Sequence, residues 1–208
     1  ASDPSKQRNP FSIGIREARE LADITYVNEN GEIEKREVVS FGLDMISDAK
    51  HIYWIESGDI RAISKEMTKE VDKLSMFEVD PADTVIVSPG GPPASQTVYS
   101  TQNCFDMALS GAIKDGGEAL VIAPCEGRPD IPEDVRGLAP DKKAKELFYD
   151  NLANMIEWPI EKSTKWIDEN FELYLWKTDR VLKLLKLRNI KLYLYSTLSD
   201  EKVKAIGF

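Results

Sequence analysis

The sequence predicts an α/β fold with a mostly parallel central sheet flanked by helices, and three observations carry that prediction. Helical and extended segments alternate along the chain. A β-branched run, Thr84 to Val87, stops at the turn formers Ser88-Pro89-Gly90-Gly91, as a buried strand does at a sheet edge. The next segment sets an apolar stripe against a polar one with the period of a helix. At 208 residues the chain is long enough to bury a sizeable core. Residues 1–8 are polar and turn-rich and read as a disordered start or a cut end. Residues 9–208 read as a single α/β domain with a helical region near 142–187.

Taken in order, Ile15 to Ala22 has helical periodicity, and Ile24 to Val27 and Ile33 to Ser40 are extended pieces either side of the turn Asn28-Glu29-Asn30-Gly31. Leu43 to Asp48 reads as one or two helical turns, His51 to Ile55 as a strand, and Ile60 to Leu74 as a long charged helix. The helix after the glycine loop runs from about Gln96 to Ile113. Val98, Phe105 and Leu109 belong to its apolar stripe and are expected in the core. Tyr99, Gln102, Asn103 and Asp106 follow i, i+3, i+4, i+7 and form a polar stripe, expected partly exposed at the mouth of a cleft beside Gly90 and Gly91. Ala119 to Ala123 is a second strand, and the proline-rich stretch from Pro124 to Pro140 is a lid candidate. Helices follow at Lys142 to Ile156, Ile160 to Asp168 and Phe171 to Leu187, then a last strand, Ile190 to Ser196.

A net charge of −9 repels a phosphate backbone, which argues against nucleic acid as a partner. No apolar run approaches the roughly 20 residues a bilayer span needs, so no membrane partner is expected. Lys177, Arg180, Lys183, Lys186 and Arg188 share one amphipathic helix and read as a solvated basic face. Cys104 and Cys125 make no disulfide framework, so a reducing cytoplasm is the default location, and both read as small, partly buried side chains. His51 is the only histidine, which excludes any mechanism that draws two imidazoles from this chain and leaves it a poor metal ligand. Neither Gly-x-Gly-x-x-Gly nor a P-loop occurs, and Pro92-Pro93 removes amide donors that a bound nucleotide phosphate would need. Glu126, Arg128 and Asp130, just past a strand end, either face a substrate or are solvated loop charges.

The run GGPPASQTVYSTQN (90–103), followed by Lys114-Asp115-Gly116-Gly117 and the strand at Ala119, resembles the C-terminal domain of the nickel-pincer-nucleotide-dependent lactate racemase family. Gly90, Gly91, Pro93, Tyr99 and Gly116-Gly117 match its pattern of glycine loop, helix opening and Lys-x-Gly-Gly turn. Asn9-Pro10-Phe11, Gly58-Asp59 and the closing segments Leu192 to Ser196 and Lys202 to Phe208 extend the likeness. Asn28 to Lys50 and Glu126 to Asn170 stand outside it.

The resemblance implies a Rossmann-like layered architecture and a lid domain closing over a cofactor that an N-terminal catalytic domain of the same protein holds. The reaction it implies is racemisation or epimerisation of a small 2-hydroxy acid by hydride transfer. No cofactor is expected on this chain alone, nor any metal ligand or catalytic residue within it. The residues implied to face substrate or cofactor are Tyr99, Gln102, Asn103, Ser88, Gly90, Gly91 and Trp176. Ser100 stands where the family carries a functional Gln, and Asn103 where it carries a functional Lys. Asn103→Lys is therefore expected to strengthen hydroxy-acid binding. The rival reading is a non-catalytic module that kept the fold and holds a small organic anion.

Overall fold

The computed structural model describes residues 13, 14, 17, 24–36 and 41–208. They fall into two compact units, residues 1–78 and 79–208. Of the expected helix at Ile15 to Ala22 only residue 17 is among the described residues, and the Asn9-Pro10-Phe11 segment and residues 37–40 lie outside them.

In the first unit β1 (Ile24–Val27) and β2 (Ile33–Arg36) pair antiparallel, Val27 opposite Ile33. Asn28 closes their turn by accepting the N–H groups of Asn30 and Glu32 on its side-chain oxygen, each at 3.0 Å. A second antiparallel pair joins β3 (Phe41–Ser47) to β4 (Ile52–Asp59). The helical turns expected over Leu43 to Asp48 are thus a strand. Its residues alternate: Gly42, Asp44 and Ile46 are half-buried while Phe41, Leu43 and Met45 are exposed, a period of two that a helix cannot produce. Helix α1 (Ile60–Ser75) packs on the half-buried face, where Ile60 and Ile63 lie 3.5 Å from where a side chain at Gly42 would begin. His51 is exposed in the turn before β4, its N–H held by Asp48 at 2.7 Å. Hydrogen bonds from the Tyr53 hydroxyl first, then from the Lys50 and His51 amides, bring the Asp48 carboxyl down to about 2.

The second unit holds the predicted parallel sheet. Its elements are β5 (Ala82–Val87), α2 (Val98–Ala112), β6 (Ile113–Ile122), α3 (Lys142–Ala144), a π-helical turn (Lys145–Asp150), α4 (Asn151–Met155), α5 (Ile160–Glu169), α6 (Leu175–Lys186), β7 (Lys191–Tyr195) and α7 (Asp200–Lys204). The strand order is β5-β6-β7, all parallel, with Val85, Ala119 and Leu192 in one register row. Because the chain steps the same way across the sheet twice, right-handed crossovers place both connections on one face. That face is the core, where Val87, Ala119, Val121 and Leu192 meet Phe105, Leu109, Phe148, Leu152 and Leu182. The opposite face leaves Ile86, Ile122, Tyr193 and Tyr195 exposed. The helix expected over Lys142 to Ile156 forms with a π-helical interruption, and the buried Thr178 hydroxyl donates to the carbonyls this frees at Leu147 and Phe148, at 3.0 and 3.2 Å. Among the described residues no helix is long and apolar enough to cross a membrane.

The stretch Pro124 to Pro140 is no lid. Cys125 N–H donates to Ser95 O and Gly127 N–H to Gln96 O, while Val98 and Tyr99 N–H groups donate to Gly137 and Leu138 carbonyls, all within 2.8–3.1 Å. Val135, Leu138 and Ala139 are buried, so the segment clamps the start of α2. Gly137 permits this clamp: it has φ +78°, and a Cβ there would sit 2.2 Å from Cys125 O. Gly116 has nearly the same φ, +77°, in open space. Gly116→Ala should therefore cost only the backbone strain, about 1 kcal/mol, and Gly137→Ala at least twice that. Urea unfolding of both variants checks the difference, and equal losses would show that the clamp yields freely.

Candidate functional site

The first turn of α2 is closed from several sides. Thr97 caps the helix by accepting Ser100 N–H at 3.1 Å, and the Ser100 hydroxyl answers by accepting Thr97 N–H at 3.2 Å. The clamp takes the Val98 and Tyr99 amides, so no donor of this turn is left to hold a phosphate. That is a stronger reason against a nucleotide site than the missing motifs.

The polar stripe of α2 faces helix α6, not an open cleft. Val98, Phe105 and Leu109 are buried in the core as expected, but Gln102 is 0% and Asp106 7% exposed. What covers them is the basic face of α6, read from sequence as solvated. Lys177 is 2% exposed. Its Nζ donates to Tyr99 O at 2.9 Å, Gln102 Oε1 at 3.2 Å and Asn103 Oδ1 at 2.7 Å. One turn on, Arg180 Nε donates to both carboxylate oxygens of Asp106, at 2.8 and 3.1 Å. Beyond the end of α6, Arg188 donates to the carbonyls of Leu109 and Ile113, which the C-terminus of α2 leaves free. Lys183 pairs with Asp179, and Lys186 donates to the Met155 and Trp158 carbonyls, so each of the five cations has a protein partner.

Four residues implied from the sequence to face a ligand therefore meet around Lys177, which the sequence reading placed on a solvated basic face. Tyr99, Gln102 and Asn103 bond to Lys177 directly, and the Trp176 ring centroid lies 5.0 Å from its ammonium. The Tyr99 ring is closer, at 4.1 Å, and is itself fixed by edge-on contacts with Phe148 and Tyr174. Asn103 and Trp176 are exposed and form the outer rim, with Gln102 and Lys177 beneath. Ser88, Gly90 and Gly91 are exposed at the end of β5 and take no part in the hydrogen bonds of Lys177. Arg128 and Asp130 pair with each other on the surface and Glu126 is exposed, the arrangement of solvated loop charges.

Lys177 was legible in one respect. Positions 177, 181, 184 and 188 follow i, i+4, i+7, i+11, and Val181 and Leu184 are apolar and buried, so Lys177 lies on the inner stripe of its helix. Burial brings its ammonium down to about 8, against the opposing pull of Asp106. Asp106 is already bonded to Arg180, so two cations share one carboxylate. Among the described residues the buried Nε2 of Gln102 has no hydrogen-bond partner, while its oxygen is fixed by the ammonium. Asn103→Lys, expected from sequence to strengthen binding, would instead set a second ammonium beside the first and repel it. Burial raises the Cys104 thiol and brings that of Cys125 up to about 11, so neither is a ready nucleophile. Among the described residues no three His, Cys, Asp or Glu side chains gather to hold a metal ion, so these residues do not fit a nickel site.

No protein-family model and no curated protein matches the chain in sequence. Among solved structures, the lactate racemase apoprotein from Thermoanaerobacterium thermosaccharolyticum matches it with a TM-score of 0.62 and 20% identity. The match covers 97% of this chain and 42% of that one. The chain has a lactate-racemase-like fold and spans less than half the length of that neighbour.

Lys177 gives the fold a pH signature. A lysine whose ammonium is disfavoured on folding binds fewer protons in the folded state than in the unfolded one between pH 8 and 10.5, so its contribution to stability rises with pH across that window. Relative to Lys177→Met, the wild-type protein should gain up to about 3 kcal/mol between pH 7.5 and pH 10.5. Urea unfolding of both proteins at intervals across this range measures the gain, and a flat difference would show that the ammonium is not strained by burial.

Proposed function

We propose that this chain is the C-terminal lid part of a lactate-racemase-like protein and that its Lys177 cluster receives the carboxylate of a small 2-hydroxy acid. The observation that carries the reading is the 2.7 Å contact between the Lys177 ammonium and Asn103 Oδ1. At position 103 the resemblance calls for a cation, and here the positive charge arrives from α6 instead. Tyr99 and Trp176 flank it with aromatic surface, and Gln102 stands beside it with a spare amide donor. An ammonium at a partly dry site binds a carboxylate by charge-assisted hydrogen bonds, roughly twice as strong as neutral ones. On this reading the N-terminal domain of the same protein holds the nickel-pincer nucleotide and supplies the racemase or epimerase chemistry.

One observation favours the rival reading, a binding module that kept the fold and lost the chemistry. Ser100, at the position of a functional Gln in the family, is consumed by the capping box with Thr97 and offers no side chain to a ligand. Calorimetric titration of the chain with L-lactate, D-lactate and phosphate tests the shared part of both readings. Both lactates should bind saturably and phosphate weakly. Lys177→Gln should lose about tenfold or more in lactate affinity, the weight of a charge-assisted contact of about 1.5 kcal/mol. Equal affinity in the variant, or tighter phosphate binding, would remove the cluster from the site. In the longest reading frame that contains the chain, interconversion of the two lactates supports the enzyme, and binding without interconversion supports the module.

A further inference from the structure

The three acceptors of Lys177 are not equivalent. The Tyr99 carbonyl is fixed in the backbone of α2, and Gln102 is fully buried, so neither can leave without disturbing the fold. Asn103 is exposed, and its oxygen is held at the shortest of the three distances, 2.7 Å. A side chain on the outer surface of a helix can swing to another staggered rotamer with no change in packing beneath it. All three acceptors are neutral, and Asp106, the one carboxylate among the described residues that pulls on the ammonium, is bonded to Arg180. The ammonium therefore lacks a counter-charge of its own, which buried charges normally have. Next to it Gln102 Nε2 offers a second donor that no described residue receives.

From this geometry we propose that the Asn103 carboxamide is a built-in stand-in for a carboxylate, so that the site is self-occupied and an organic acid binds Lys177 only by displacing the Asn103 oxygen. The inference rests on the reading that the cluster receives a carboxylate. It adds that the free protein holds its own site closed, with affinity reduced by the fraction of molecules in which Asn103 has swung away. A displacing carboxylate would supply the missing counter-charge, and the freed Asn103 amide would be able to donate to the same ligand from the rim. Removing the Asn103 side chain should open the site, and replacing its amide by a carboxylate should close it for good. The closed variant would give Lys177 a permanent ion-pair partner at the place where a ligand would bind.

The test compares wild type with Asn103→Ala and Asn103→Asp, titrated with L-lactate and with acetate as the minimal carboxylate. Position 103 is exposed, so both variants should fold, and thermal melts confirm it. Asn103→Ala should bind both acids about three- to tenfold more tightly than wild type, and Asn103→Asp at least about tenfold more weakly, as expected for gaining or losing one charged hydrogen bond. If acetate follows that order but lactate binds no better than acetate, the stand-in is supported and the hydroxy-acid reading falls. If all three proteins bind lactate alike, the stand-in is overturned while the hydroxy-acid reading survives at another group. Weaker binding by Asn103→Ala than by wild type also overturns it, because Asn103 would then be a ligand contact. Failure of Asn103→Ala to bind either acid overturns both.

Discussion

The ammonium of Lys177 is the constraint around which the second unit is arranged. A buried lysine is tolerated only where each of its protons meets an acceptor, and α2 supplies all three from residues at 99, 102 and 103. This fixes the register of α6 against α2. Arg180 then falls on Asp106, and Arg188 reaches the carbonyls at the far end of the helix. Contacts at 177, 180 and 188 match positions 99–103, 106 and 109–113 in the same order, so the two helices run in the same direction. Parallel crossovers on one face of a parallel sheet require this. The helix pair and the sheet topology thus state the same geometry twice, once in charge and once in chain direction.

The clamp at the other end of α2 serves the same cluster. Carbonyls of Gly137 and Leu138 hold the amides of Val98 and Tyr99, and the Tyr99 carbonyl in turn holds Lys177. A segment whose proline and glycine content suggested a mobile cover is therefore part of the foundation. The cost is paid in unusual backbone: Cys125 and Gly137 both sit at positive φ where the two arms of the loop pass each other.

Much of the fold was legible because the signals were periodic and local. The β5 strand, the apolar stripe of α2, the Asn28 to Gly31 turn and the last strand all follow from residue pattern and turn chemistry. The failures share a cause. Phe41 to Ser47 is apolar on its exposed face, so the alternation that marks a half-buried strand was hidden. The basic residues of α6 were read by their charge, when the apolar residues at 181 and 184 already placed position 177 inside. The loop at 124–140 was read by composition, which reports turn chemistry but not the hydrogen bonds a turn makes with distant residues. Of the candidate site, the stripe at 99, 102 and 103 and the neighbouring Trp176 were visible in sequence. Lys177, which unites them, was named only as part of a solvated face, because its acceptors lie more than seventy positions away and no local pattern links the two helices.

The bare face of the parallel sheet has a consequence for how copies of the chain behave toward one another. Parallel sheets are ordinarily covered on both sides, and among the described residues of the second unit Ile86, Ile122, Tyr193 and Tyr195 are exposed on one. At neutral pH a net charge of −9 keeps such surfaces apart by long-range repulsion. Near the isoelectric point, about 4.8, that repulsion falls away while the apolar side chains remain exposed. Within the second unit, charge opposes a contact that these four side chains favour, and mild acid or high salt is where its loss would be felt.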